Sequence, residues 1–172
     1  MMKLQENLIR SHSSGVGDPL PVPEVRAMMV IRANSLVKGF SGVTIDLVET
    51  ILSFLNKKIT PVVPRYGSVG ASGDLAPLAH IALCIMGESE VFYQGRRMST
   101  KDALDQCGLS RHAFREKEGV AFINGTSSIS GLLALSIHEA RKVINSSLAA
   151  SSISLQALRG TEKAFTDWVV RT

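Results

Sequence analysis

The segment from Ser127 to about Leu158 constrains the fold of this chain more than any other. Its aliphatic side chains are interspersed with serine and alanine. Small residues let helices approach closely, so the pattern predicts two long helices, or one interrupted near Asn145, that belong to a bundle. Aliphatic residues fall on more than one side, so we expect a large exposed hydrophobic surface unless the chain self-associates or meets further helices. The aliphatic positions are Leu132, Leu133, Leu135, Ile137, Val143, Ile144, Leu148, Ile153, Leu155 and Leu158.

Three helices are predicted before this segment. The first begins at Pro23-Glu24 and ends before Gly39, which places a proline and an acid in the first turn and a glycine after the last turn. Thr44 is expected to cap the second helix, whose wide apolar face predicts burial on two sides. Pro77 opens the third helix, which ends at Gly87.

A small β-hairpin is predicted after the third helix. The segments 90–93 and 96–98 flank Gln94-Gly95, which is typical of a two-residue hairpin turn. Ser99 or Thr100 then caps a short helix, and we expect this whole region to be a surface excursion. The predicted fold class is therefore mainly α: a helical bundle with a loop region and one small β-hairpin.

Composition excludes several classes of function. The chain has 172 residues, 45% of them hydrophobic, with a formal net charge of +4; it can bury the core of one domain but lacks the basic, aromatic-rich surface of a nucleic-acid binder. Cys84 and Cys107 lack metal-ligand spacing, so neither a metal site nor a disulfide is expected. No early segment resembles a secretory signal, and no uninterrupted apolar run approaches the roughly 20 residues that cross a bilayer. We expect a cytoplasmic protein that binds neither nucleic acid nor membrane.

A glycine-rich loop separates the second helix from the third. Pro61 and Pro64 break the chain, and the glycines of the segment 67–73 keep it irregular until the next helix begins. The tripeptide Ala71-Ser72-Gly73 in this loop offers an unhindered carbonyl, a hydroxyl that can leave as water and the least hindered backbone nitrogen of any residue. These are the requirements for cyclisation of the backbone, although in an arbitrary protein the same three residues are more often only a turn.

Cyclisation of the tripeptide would create an electrophile that no ordinary side chain supplies. Attack of the Gly73 nitrogen on the Ala71 carbonyl, followed by dehydration of the ring and of Ser72, gives a five-membered imidazolone with an exocyclic methylene. The N-terminus of the adjacent helix would stabilise negative charge on this ring as a nucleophile adds. The sequence therefore contains a candidate autocatalytic cofactor.

The tripeptide lies within one of several motifs that occur in a characteristic order. Together they resemble the aromatic amino acid ammonia-lyase family, most closely its histidine ammonia-lyases, over Leu4 to about Phe165. Members of this family build 4-methylideneimidazol-5-one (MIO) from such a tripeptide, and the segment 67–80 matches their signature almost residue for residue. The other matching segments are Leu4-Gln5-Glu6-Asn7-Leu8, Ser11-His12-Ser13-Ser14-Gly15-Val16-Gly17, Lys38-Gly39-Phe40-Ser41-Gly42, Pro61-Val62-Val63-Pro64, Lys117-Glu118-Gly119 and Ile123-Asn124-Gly125-Thr126.

The resemblance implies a helical bundle of the ammonia-lyase (aspartase/fumarase-like) type with a MIO-bearing loop region. It also implies a homotetrameric enzyme that eliminates ammonia from L-histidine to give trans-urocanate, with active sites shared between subunits. It implies that Ala71, Ser72 and Gly73 form the MIO autocatalytically, so no external cofactor is needed. His12 lies in a Ser-His pair similar to that of histidine ammonia-lyases and is expected to hydrogen-bond the substrate imidazole. Asn124 is expected to contact the MIO ring and the substrate.

Two features keep other interpretations open. Ser127 stands where histidine ammonia-lyases usually have glutamine and resembles tyrosine lyases, so a phenylalanine or tyrosine ammonia-lyase, or an MIO aminomutase, stays an alternative. The tyrosine bases and the carboxylate-binding arginine that the resemblance implies would precede Met1 or follow Thr172, so a catalytically incomplete helical scaffold is another. Asp74 and His80 are expected to serve in helix support and packing.

The missing family motifs predict that the chain is a fragment that is inactive alone. Residues 1–125 are predicted to form the MIO-bearing N-terminal region, incomplete at its N-terminus, and residues 126–172 the incomplete start of a central long-helix bundle. The complete tripeptide favours an enzyme over a scaffold, because a scaffold has no need of a dehydratable serine between a small acyl donor and a glycine.

Overall fold

The computed structural model describes residues 2–167 of the chain. The chain divides into two compact units, Met1–Leu135 and Ser136–Thr172. Helices predominate in the described part of both units, which confirms the predicted mainly helical fold class. The predicted division at residues 125/126 stays a prediction.

Six helices in the described part of the chain lie within the first unit. The sequence pattern predicts the second to the fifth of them, and the observed ends agree closely with the expected ones. The first and the sixth are not apparent from periodicity alone. The helices are α1 (Met2–His12), α2 (Val22–Val37), α3 (Ile45–Asn56), α4 (Leu75–Ile85), α5 (Thr100–Cys107) and α6 (Glu118–Ile123).

Local capping explains the ends of α5 but not the start of α3. The Ser99 hydroxyl accepts a hydrogen bond from the Asp102 backbone nitrogen at 3.1 Å, and Gly108, with φ of 64°, ends the helix in the left-handed region. Thr44 precedes α3 as predicted, but its side chain makes no capping hydrogen bond. Its hydroxyl instead donates to the Glu118 carboxylate, so a contact distant in sequence replaces the expected cap.

Five short strands in the described residues form two antiparallel sheets. They are β1 (Val16–Pro19), β2 (Thr60–Pro61), β3 (Pro64–Tyr66), β4 (Glu90–Tyr93) and β5 (Arg96–Ser99). The predicted hairpin is β4 and β5, and β2 pairs with β4 to give the order β2-β4-β5. The hairpin is not the predicted surface excursion, because Val91 and Leu104 of this region are buried in the core.

The hydrophobic core of the first unit surrounds α4. Its apolar residues are buried along nearly the whole helix, and α1 and α6 both contact it. Phe54, Phe114 and Phe122 are among the largest fully buried side chains of this core. Because α4 is enclosed, the loop before it has a fixed point of attachment.

The long C-terminal segment forms one continuous helix, α7 (Ser127–Ala157), so the predicted interruption near Asn145 is wrong. The hydroxyls of Ser152 and Ser154 donate to carbonyl oxygens four residues earlier, at 2.9 Å each, so these serines remain within the helix. At its start, Gly131 allows close contact with α2, since a Cβ there would lie 2.8 Å from the Met28 nitrogen.

The apolar side chains of α7 are largely exposed, which confirms the predicted hydrophobic surface. Val143, Leu148 and Ile153 are 62–69% exposed. The helical stretch Glu118–Ala157 is long and apolar enough, by length and composition alone, to cross a membrane. This differs from the expectation based on uninterrupted apolar runs, because the interspersed serines interrupt such a run but lower its averaged hydropathy only slightly. Core helices of soluble proteins pass the same test.

Candidate active site

The tripeptide Ala71-Ser72-Gly73 forms a bend directly before α4, with Ala71 and Ser72 exposed. Gly73 has φ of +125°, a backbone conformation that residues with a side chain rarely adopt. A Cβ at this position would lie 2.8 Å from the Gly125 carbonyl oxygen and 2.9 Å from the Gly125 nitrogen. Both the backbone conformation and the contact with Gly125 therefore require glycine at position 73.

Asp74 connects the bend to the start of α7. Its carboxylate is fully buried and accepts hydrogen bonds from the Ser68 hydroxyl and from the Ile129 backbone nitrogen, each at 2.8 Å. Its backbone nitrogen donates to the Gly125 carbonyl at 2.8 Å. The side chain makes no capping hydrogen bond to α4, so the predicted helix support is directed at the N-terminus of α7, where a carboxylate also interacts favourably with the helix dipole.

Asn124 lies at the C-terminal end of α6, next to the glycine that contacts Gly73. Its side chain is exposed. Its backbone nitrogen donates to the Val120 carbonyl at 3.0 Å, and its carbonyl accepts from Arg32 Nη2 at 3.2 Å. The backbone of Asn124 is therefore fixed while its amide side chain faces solvent beside the tripeptide's turn.

His12 is the last residue of α1, and its ring is partly buried. Nδ1 lies 2.8 Å from the Leu8 carbonyl oxygen and 3.1 Å from the Ser11 hydroxyl. A carbonyl oxygen can only accept, so Nδ1 carries the proton in this contact. In the neutral imidazole Nε2 is then a hydrogen-bond acceptor, which suits it to receive an N–H from a ligand.

The loop after His12 runs alongside the glycine-rich loop. Strands β1 and β3 pair with Val16 opposite Tyr66, and His80 of α4 accepts a hydrogen bond from the Gly15 nitrogen on Nε2 at 3.1 Å. Burial lowers the pKa of His80, which favours the neutral ring that this contact needs. The predicted packing role of His80 thus has a specific form: it anchors the loop that follows His12.

Glu118 joins α6 to the start of α3. Its buried carboxylate accepts from the nitrogen and hydroxyl of Thr44 at 2.8 and 2.6 Å, from the Arg115 nitrogen at 2.7 Å, and lies 3.1 Å from His112 Nε2. Burial alone would raise the pKa of Glu118, but the hydrogen bonds from Thr44, Arg115 and His112 outweigh it and lower the pKa. The carboxylate is therefore a structural anchor with its acceptor positions occupied.

A second contact fixes α6 from the side of α1. The Gly119 nitrogen donates to the Gln5 side-chain oxygen at 3.1 Å, and a Cβ at Gly119 would lie 2.8 Å from that oxygen. The helix that precedes Asn124 is thus held by Gln5 at one side and by Glu118 at its first turn. Both contacts explain physically why these motif residues accompany the tripeptide.

Of the predicted site residues, Gly73 packs directly against Gly125, the neighbour of Asn124 in sequence. His12 precedes strand β1, which pairs with β3 just before the glycine-rich loop. Arg32 is the contributor that sequence reasoning misses, because its position on the predicted α2 gives no sign that its side chain reaches Asn124. Among residues 2–167, no group of three His, Cys, Asp or Glu side chains could hold a metal ion.

Comparison with known proteins identifies the family. A family model described as aromatic amino acid lyase matches residues 1–172. The chain belongs to the aromatic amino acid lyase family. A lyase of this family from Thermoplasma volcanium, named probable histidine ammonia-lyase, is 53% identical over 98% of this chain and 34% of its own length. The histidine ammonia-lyase of Caldanaerobacter subterraneus is 51% identical over 96% of this chain and 33% of its own.

Solved structures show that this chain has the ammonia-lyase fold. Histidine ammonia-lyase from Trypanosoma cruzi matches with a TM-score of 0.92 and 37% identity, over 98% of this chain and 33% of that one. Phenylalanine aminomutase from Pantoea agglomerans also matches with a TM-score of 0.92, at 38% identity, over 99% of this chain and 33% of that one. The chain thus spans about a third of the length of the relatives it matches.

Proposed function

We propose that the protein carrying this chain is a histidine ammonia-lyase, which eliminates ammonia from L-histidine to give trans-urocanate. The observation that supports this most is the packing of Gly73 against the backbone of Gly125, which directly follows Asn124, a residue with an exposed side chain. Relatives about 50% identical are named histidine ammonia-lyases. The gene product that carries this chain is called the parent protein below.

The backbone conformation of Gly73 supports MIO formation from the tripeptide. The Gly73 nitrogen bonds to the Ala71 carbonyl carbon, and the carbonyl oxygen leaves as water with the hydrogens of the Gly73 and Ser72 nitrogens. The Ser72 hydroxyl then leaves as a second water with the hydrogen of its own Cα. The positive φ of Gly73 and the missing Cβ allow the tight bend that the first step requires.

The predicted site residues of this chain have separate roles in the proposed reaction. When formed, the MIO supplies an electrophilic methylene that makes the substrate amino group a better leaving group. His12 Nε2 accepts a hydrogen bond from the substrate imidazole, because Nδ1 already donates to Leu8. Asn124 contacts the substrate near the reacting centre, and the backbone N–H groups at the start of α4 stabilise developing negative charge.

The substrate assignment rests on His12, and one observation favours a second candidate. The Pantoea phenylalanine aminomutase is as similar in structure as the Trypanosoma histidine ammonia-lyase, and Ser127 is the residue at which this chain resembles tyrosine lyases. Ser127 is buried at the start of α7. A phenylalanine lyase or aminomutase would use the same tripeptide, but its substrate ring has no donor for a hydrogen-bond acceptor at position 12.

The parent protein is further proposed to be a cytoplasmic homotetramer with active sites shared between subunits. The exposed apolar face of α7 supports association with further helices. The tyrosine general base and the arginine that binds the substrate carboxylate are proposed to come from parts of the parent protein outside residues 1–172. The chain alone is therefore proposed to be inactive.

The tripeptide assignment is tested by intact-mass measurement of the parent protein. Wild type should be lighter than its encoded mass by two waters, and Ser72→Ala should not show that loss, because only the Ser72 hydroxyl can leave to form the methylene. Circular dichroism should show the same helicity in both. An unmodified wild type that eliminates ammonia at full rate would refute the proposal.

The substrate assignment is tested with His12→Leu in the parent protein. Loss of the acceptor leaves a polar group of the bound histidine unpaired, which costs about 1–3 kcal/mol. Turnover of histidine should therefore fall far more than turnover of phenylalanine, whose ring has no hydrogen-bond donor, as measured by the ultraviolet absorbance of the products. Equal losses on both substrates would show that His12 has only a structural role.

A further inference from the structure

Arg32 is a buried cation without a carboxylate partner. Its residue is 3% exposed, and none of the ion pairs found among residues 2–167 includes it. Burial lowers its pKa, and Nε makes no hydrogen bond. An unpaired buried charge is costly, so the position of this side chain calls for a physical explanation.

The guanidinium of Arg32 reaches from α2 to the C-terminal end of α6. Nη2 donates to the carbonyl oxygens of Ala121 and Asn124, the second at 3.2 Å. Its central carbon lies 5.9 Å from the centre of the Phe122 ring, within the range of a cation–π contact. The last carbonyls of a helix carry partial negative charge, so Arg32 stabilises the end of α6 and fixes the backbone of Asn124.

The guanidinium of Arg32 is linked to the tripeptide through one residue, Gly125. A Cβ on Gly125 would collide with Arg32 Nη1, so Gly125 lies directly against the cation. A Cβ on Gly73 would lie within 3.1 Å of the backbone nitrogen, carbon and oxygen of Gly125. The Asp74 nitrogen donates to the Gly125 carbonyl. Gly125 thus lies between Arg32 and the bend that contains Gly73.

We propose that Arg32 is a positioning residue for closure of the MIO ring, because it holds the Asn124-Gly125 turn against Gly73 and keeps the bend from opening. The inference rests on the proposed function, since it concerns a ring made from Ala71, Ser72 and Gly73. Arg32 exchanges no proton or bond in that step. Intramolecular reactions depend steeply on geometry, and a misplacement of about 1 Å can cost on the order of a hundredfold in rate.

The test compares two arginines of α2 in the parent protein. Arg32→Met keeps the apolar stem but removes the guanidinium, and Arg26→Met is its matched control. Arg26 is half-buried, donates to the Leu55 carbonyl at 3.0 Å and has an unpaired buried Nη1, but its guanidinium bonds to α3 rather than to the Asn124-Gly125 turn. Intact mass is followed with time after cell-free synthesis, together with circular dichroism and size.

We expect Arg32→Met to lose its two waters on the order of a hundredfold more slowly than wild type, with unchanged helicity. Arg26→Met should lose them at the wild-type rate. In Arg32→Ala, which leaves room for a small cation, low-millimolar guanidinium should accelerate the loss, whereas equal sodium chloride should not. A role confined to folding would lower helicity together with the rate of water loss, whereas the inference expects slower water loss at unchanged helicity.

Wild-type rates of water loss in Arg32→Met would overturn the inference while leaving the proposed function intact. Equal slowing in Arg26→Met would overturn it as well, since the effect would then follow from any buried arginine of α2. If Arg32→Met does not fold, Arg32→Lys is the deciding variant, because it keeps the charge and the stem but reaches fewer carbonyls. Ring formation slower than in wild type then supports the inference, and the wild-type rate overturns it. A folded wild type that never loses two waters would instead refute the proposed function.

Discussion

Replacement of Asp74 tests whether the carboxylate holds the start of α7 to the glycine-rich loop. In Asp74→Ala the Ile129 N–H and the Ser68 hydroxyl both lose an acceptor at 2.8 Å. Ser68 is exposed and can bond to water instead. Ile129 is itself 48% exposed, but its amide donates to the fully buried Asp74 carboxylate, so the main loss is at this amide. A donor left without its partner costs about 1–3 kcal/mol, and loss of the negative charge at the helix N-terminus adds about 0.3–1 kcal/mol.

The expected local destabilisation at the first turn of α7 is therefore about 2 kcal/mol, which corresponds to roughly thirtyfold faster amide exchange through local opening. Hydrogen–deuterium exchange of the parent protein, resolved to the Ile129 peptide, measures it. Asp74→Asn should show a smaller increase, because one side-chain oxygen can still accept from the Ile129 N–H. Asp46→Ala is the control: its exposed ion pair with Arg115 spans 2.8 Å, and such pairs contribute at most about 1 kcal/mol. Unchanged Ile129 exchange in Asp74→Ala would refute the reasoning.

Three further outcomes are expected. The free energy of unfolding should fall as the pH drops below 6.5, the ordinary pKa of histidine, because His80 takes up a proton in the unfolded chain that its buried neutral ring resists. Urea titrations at several pH values should show a weaker pH dependence of this free energy in His80→Gln. Burial raises the pKa of Cys84 to about 12, so a thiol reagent at pH 8 should leave it unlabelled by mass spectrometry until urea unfolds the protein, and rapid labelling of folded protein would contradict its burial. Residues 1–172 alone should associate, as judged by light scattering, and produce negligible urocanate; a monodisperse, active monomer would contradict the proposed location of the catalytic base.

Much of the helical fold can be predicted because its signals are local. Proline and an acid mark the start of α2, and Ser99 caps α5 through a hydrogen bond within one turn. Asn145 is only a weak local signal against a helix, and α7 continues through it without interruption. The predicted Thr44 cap of α3 is wrong for a non-local reason: the Thr44 side chain bonds to Glu118, 74 positions away.

The candidate site also has features that local sequence predicts and features that it cannot predict. The chemistry of Ala71-Ser72-Gly73 is visible in the sequence because it depends on three adjacent residues. The contact of Gly73 with Gly125 and the reach of Arg32 to Asn124 depend on how separate helices pack, and Arg32 and Asn124 are 92 positions apart. Periodicity cannot specify such pairs, because it indicates which face of a helix is buried but not what that face meets.

The hydrogen bond between Asp74 and Ile129 has a consequence for the order of events during synthesis. Fifty-five positions separate the two residues, so the tripeptide leaves the ribosome well before the helix start that Asp74 caps. Until that later segment has emerged and docked, neither Gly125 nor Ile129 is available to Asp74, and the bend lacks the backbone that packs against it. Under the proposed function, loss of two waters is effectively irreversible in the folded chain. The modified tripeptide would then distinguish molecules that have reached the native arrangement at least once from molecules that have not.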